Sequence, residues 1–111
     1  MTRQIRDDEW PARLKEFTQR NAGRLTIIEE DDLDLGVQLE EQGIQLRGAA
    51  YDPHDRSVAI MLGPLEGTDQ HITHVVHDVV SIDVLKRTEN QDEVMRVAHG
   101  DGQTILRFYK A

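Results

Sequence analysis

Residues 36–52 read "GVQLEEQGIQLRGAAYD", and the fold turns on how that stretch is divided. Val37 and Leu39 alternate with Gln38 and Glu40, then Ile44 and Leu46 alternate with Gln45 and Arg47. A period of two sends successive side chains to opposite faces of a strand, so each run reads as a half-buried strand. Glu41-Gln42-Gly43 between them reads as a turn, which makes the stretch two short strands. The same period continues on both sides. "RLTIIEE" (24–30) precedes it and is rich in β-branched residues. "SVAIML" (57–62) follows a "DPHDR" turn, and "GPLEGTDQ" (63–70) is a loop by composition. "SIDVLK" (81–86), "EVMRVAH" (93–99) and "QTILRFYK" (103–110) complete the series. The last two flank Gly100-Asp101-Gly102, a strong hairpin signal.

Only the N-terminal segment has a helical period. Trp10, Leu14 and Phe17 recur at i, i+4 and i+7, one apolar stripe. Pro11 falls in the first turn, where its missing N–H does no harm, and Asp7 or Asp8 is placed to cap. Asn21-Ala22-Gly23 supplies the stop, so the helix spans about residues 8–22. One helix followed by many short strands leaves no crossover helices, which excludes a doubly wound fold. The expected class is α+β, with the helix packed on a mostly antiparallel sheet. That sheet is strongly bent, or a small partly closed barrel, of about six to eight strands. It forms a single domain over residues 1–111, with strands from about 24 to 109.

The chain has 111 residues, enough to bury a core without metal or disulfide staples. It has no cysteine, which removes disulfides, thiol nucleophiles and cysteine-based zinc sites together. No apolar run approaches the roughly 18 residues that cross a bilayer, and "MTRQIRDDEWP" has no signal-peptide core, so the expected location is cytoplasmic. A net charge of −8 repels phosphate backbones and anionic lipid, which disfavours nucleic acid and membrane as partners.

"QHITHVVHDVV" (70–80) comes nearest to chemistry, with His71, His74 and His77 three residues apart and Asp78 behind. On a regular strand His71 and His77 share a face about 20 Å apart and His74 faces the other way. Zinc holds imidazole nitrogens at about 2.0–2.1 Å, so a straight strand cannot bring these three to one ion. A helix pairs neighbours in the triple without gathering all three. Five β-branched residues, Ile72, Val75, Val76, Val79 and Val80, favour sheet over helix, and a bend at His77-Asp78 leading into a strand from Val79 is the third option. His71, His74 and His77 are the candidate metal ligands, with help from a distant residue such as His54, Asp55 or His99. Thr73, His74, His77 and Asp78 are the candidate ligand or partner residues.

"EEDDLDLGVQLEE" (29–41) places Glu30, Asp32, Asp34 and Glu41 at positions 1, 3, 5 and 12 of an oxygen-ligand calcium loop. The glycine needed at position 6 is Leu35, and strands flank the stretch where that loop requires helices. A solvated hairpin connection, with Gly36 in the turn, is the expected role. Ser57 and Ser81, the two serines, lie inside strands and in no nucleophile turn, and no phosphate-binding glycine motif is present.

Three segments together resemble a known family. "RDDEWPARLKEFTQRNAGRLTIIE" carries an Arg-x-x-Glu-Trp helix, "SVAIMLG" is followed by "HITHVVHD" with its Thr73-His74 pair, and "DGQTILRF" forms the closing hairpin. They resemble a family of short bacterial proteins of unknown function, over nearly the whole chain. The family pattern carries a proline after the histidine stretch, where this chain has Val79 and Val80. The resemblance implies one whole-chain domain and no assigned activity. The expected function is therefore non-enzymatic binding, of a protein partner, of itself or of a small ligand, with no cofactor. The alternative is a metal-binding protein or metal-assisted hydrolase using His71, His74 and His77. A homodimer through a sheet edge is the candidate assembly, and the apolar Tyr51 and "SVAIMLG" (57–63) hint at either a buried sheet or an oligomer surface.

Overall fold

The computed structural model describes residues 2–65, 71–88 and 91–109. A short strand β1 (Thr2–Ile5) leads through a 3-10 turn at Asp7–Glu9 into helix α1 (Trp10–Asn21). Strands β2 (Leu25–Asp32), β3 (Gly36–Asp52), β4 (Ser57–Leu62), β5 (Ile72–Val76), β6 (Val79–Thr88), β7 (Gln91–His99) and β8 (Gly102–Phe108) follow. They form an eight-stranded sheet in the order β1-β6-β7-β8-β2-β3-β4-β5, and every adjacent pair is antiparallel. The α+β reading and the antiparallel sheet hold. The sheet neither closes into the expected partial barrel nor curls strongly: its strand order is open, with β1 and β5 at the two ends.

The stretch that opened the sequence analysis is one strand of 17 residues rather than two. Gly43 takes φ +78, a conformation that glycine adopts without steric cost, so the chain passes "EQG" with a bulge instead of reversing. β3 serves two partners in succession. Residues 36–45 pair with β2, and residues 46–52 pair with β4 after a register shift between Leu46 and Gly48.

The apolar stripe of α1 is buried as expected: Trp10, Leu14 and Phe17 are all at 1% exposure or less. They pack with Ile28, Leu46, Ile60, Ile82, Met95 and Leu106 in one core. The expected capping by Asp7 or Asp8 is absent, because the 3-10 turn intervenes and α1 begins at Trp10 behind Glu9, with no side-chain cap bond. Trp10 Nε1 instead donates to the Ile5 carbonyl at 3.0 Å, which fastens β1 to the helix. At its other end α1 is tied to β7 through Asp92, which is fully buried. Asn21 Nδ2 donates to Asp92 Oδ2 at 2.6 Å and Arg20 Nε donates to it at 3.1 Å.

Tyr51 and β4 are not on a free surface. The Tyr51 ring stands edge-on to Trp10 with centroids 5.0 Å apart. β4 lies between β3 and β5 with Val58, Ile60 and Leu62 at 0% exposure.

Candidate functional site

The histidine stretch adopts the bent option. β5 ends at Val76, β6 begins at Val79, and only His77 and Asp78 lie between them. These two strands do not pair with each other. β5 pairs with β4 alone, while β6 lies between β1 and β7. Asp78 has φ +54, a turn conformation that aspartate tolerates better than most residues and that lets the chain change direction within two residues. The backbone of Val79 donates to the Arg56 carbonyl at 3.0 Å, and Arg56 Nη2 donates to the Val79 carbonyl at 3.0 Å. That exchange holds the corner against the β3–β4 turn.

The three histidines are separated by this geometry. His71 precedes β5, is exposed, and its Nε2 lies 2.8 Å from Arg47 Nη1. His74 is central in β5 and half-buried, opposite Ile60. His77 is exposed in the corner. Among the described residues, no three His, Asp or Glu side chains are grouped so as to hold a metal ion. The calcium-loop spacing likewise gathers no such group. Asp32 Oδ1 instead accepts the backbone N–H groups of Asp34 (2.8 Å) and Leu35 (3.0 Å), which shapes the β2–β3 turn.

What the fold does bring to the corner is the polar end of the inward sheet face. Along β2 the inward positions run Thr26, Ile28, Glu30; along β7, Met95, Val97, His99; along β8, Leu106, Thr104. The core is apolar through Ile28, Val97 and Leu106 and then turns polar at Glu30, His99 and Thr104. These three are hydrogen-bonded together. Thr104 Oγ1 donates to Glu30 Oε2 at 2.6 Å, and His99 Nε2 makes a close contact with Glu30 Oε1. The Asp101 backbone N–H donates to His99 Nδ1 at 3.3 Å, which assigns the proton of a neutral ring to Nε2, facing Glu30. Both ring nitrogens and both Glu30 oxygens are thus engaged. The trio is a positioned support, with no lone pair on His99 left to take a proton from a substrate.

A groove of about 300 Å³ lies over this support. Its wall includes His74, Val75, Val76, His77 and Asp78 from the corner, Glu40 from β3, and Gly100 and Asp101 from the β7–β8 turn, with Glu30, His99 and Thr104 beneath. Among the described residues, no lysine or arginine lines it. Of the residues named from the sequence, His74, His77 and Asp78 border this groove, and Thr73 and His71 do not. Glu40, Asp101 and Thr104 were missed as site residues. The signal available for Glu30, His99 and Thr104 is a polar residue at an inward position of an apolar alternation. For Glu40 and Asp101, which reach the groove from a bulge and a turn, no local signal exists.

Comparison with known proteins bears on the whole chain. No curated protein and no solved structure matches it. The family of unknown function DUF5335 matches over residues 1–111, and the chain belongs to that family.

Proposed function

Starting from membership of a family whose description assigns no activity, we propose that this chain is a binding domain. Its site is the groove at the β5–β6 corner, and its ligand presents a positively charged group. The observation that carries this reading is the lining: Glu40, Asp78 and Asp101 border the groove as exposed carboxylates, and among the described residues no lysine or arginine shares it. His74 and His77 add imidazole edges that donate or accept hydrogen bonds. The net charge of −8 steers cations toward the chain at low ionic strength. Binding is favoured over catalysis because the half-buried acid–histidine pair Glu30 and His99 is fully engaged internally.

The test is a titration followed by amide chemical shifts, using acetyl-lysine methylamide and its Nε-acetylated, uncharged analogue. The cationic probe shifts the amides of 74–78 and 99–101 with an affinity on the order of millimolar, as suits so few atoms. The neutral probe does not, and an Asp78→Asn, Asp101→Asn double variant weakens the response. Equal shifts from both probes, or no shift at these amides, would overturn the assignment.

A further inference from the structure

We propose that the partner is an extended, lysine- or arginine-bearing polypeptide segment that adds to the free edge of β5 as a ninth strand. This deepens the reading above and rests on it. The first support is the groove's course. Three consecutive strand residues, His74 to Val76, border it before the corner pair His77 and Asp78, although neighbouring side chains along a strand point to opposite faces. A groove that meets all three borders the backbone of β5 as well as the inward sheet face.

The second support is the edge itself. β5 pairs with β4 from Val58↔Val76 to Leu62↔Ile72 with no register shift, so the strand is regular to its end. Among the described residues, no backbone hydrogen bond outside the sheet ladders involves Ile72–Val76. The outward N–H and C=O groups of β5 therefore have no backbone partner among the described residues. Natural edges are blunted by lysine, proline or a bulge, and "ITHVV" has none of these. Four of its five residues are β-branched, which suits further pairing. The opposite edge, β1, is shorter, with four residues.

Charge selects the occupant. The carboxylates of Glu40, Asp78 and Asp101 lie at the Val76 end of the edge, so an incoming strand is favoured by a basic side chain there. A second copy of this chain is the poorer fit, since each copy carries −8 and the like charges repel. Backbone pairing then supplies affinity, and the carboxylates set register and orientation.

The experiment uses the peptide acetyl-Val-Lys-Val-Lys-Val-amide and two derivatives N-methylated at alternate amides, one for each set. Only one set of amides faces the receiving edge in an added strand. One derivative therefore loses about tenfold or more in affinity, from two missing hydrogen bonds, while the other binds like the parent. The amides of Ile72–Val76 shift with the parent peptide. If both derivatives bind like the parent, strand addition is overturned and the cation site stands. If neither the peptides nor acetyl-lysine methylamide bind, both readings fall. Sedimentation showing a dimer that a His74→Pro, Val75→Pro variant dissociates would overturn the proposal in favour of a second copy at this edge, and the circular dichroism of that variant checks that it folds.

Discussion

Replacing Asp92 with alanine is expected to be the most damaging single polar substitution in the chain. The carboxylate is at 0% exposure, and its Oδ2 receives Asn21 Nδ2 at 2.6 Å, Arg20 Nε at 3.1 Å and Arg20 Nη2 at 3.0 Å. Arg24 Nη1 adds a bond to the Asp92 carbonyl and another to Asn21 Oδ1, each 2.8 Å, while its guanidinium lies 4.2 Å over the Phe108 ring. Removing one member of a buried ion pair costs about 3–5 kcal/mol, because its partner is left without compensation. Here the Arg20 side chain is 21% exposed and regains some water, which places Asp92→Ala at the lower end, about 3 kcal/mol. In Asp92→Asn the acceptor survives and the charge is lost. Asp92 Oδ1 has no partner among the described atoms, so losing the charge relieves part of a desolvation cost, and about 1–2 kcal/mol is expected. Urea denaturation measures both, as a lower midpoint at unchanged slope. Asp92→Ala should also lower the melting temperature by about 10–15 °C. A double-mutant cycle with Arg20→Ala should return a coupling of about 1–3 kcal/mol. An alanine variant within about 1 kcal/mol of the parent, or a coupling of zero, would refute the claim that this network anchors the helix.

Gly102 opens β8 at φ +150, and a Cβ added there would lie 2.1 Å from the Asp31 carbonyl oxygen, a backbone atom. Gly102→Ala must therefore displace β2 or β8, with an expected loss of about 2–4 kcal/mol by urea denaturation; an unchanged midpoint would contradict the close approach. Trp10→Phe keeps a ring beside Tyr51 but removes the donor to the Ile5 carbonyl. It should cost about 1–2 kcal/mol, with faster amide exchange in β1, and unaltered exchange would show that β1 is held by its pairing with β6 alone.

Leu106 and Ile28 show how far the core was legible from the sequence. Their strands were legible from β-branched and apolar runs, as was that of Val58, Ile60 and Leu62, but contiguous apolar pairs such as Ile27-Ile28 and Ile105-Leu106 leave the inward member to the tertiary structure. The α1 stripe was legible, since Trp10, Leu14 and Phe17 lie on one side of any helix. The break at Glu41-Gln42-Gly43 was misread because a glycine at positive φ serves a turn and a bulge equally well. Which one forms depends on whether the two flanking runs pair with each other or continue side by side along another strand, as residues 37–39 and 44–45 do along β2.

By itself the sequence determined one helix, a series of strands, and a segment at 71–78 where β-branched residues meet histidines. Each of these is a local property of neighbouring side chains. Only the tertiary structure decided that β5 ends at an open edge, that its two-residue corner reaches β6 across the strand order, and that His74, His77 and Asp78 share a groove with Glu40 and Asp101 while His71 turns away to Arg47. It also decided that Glu30 meets His99 across 69 residues and Asn21 meets Asp92 across 71. Such contacts have no period to read. They follow from which strands pair and in what register, and that choice is made by the burial of the whole core at once rather than by any stretch of the chain.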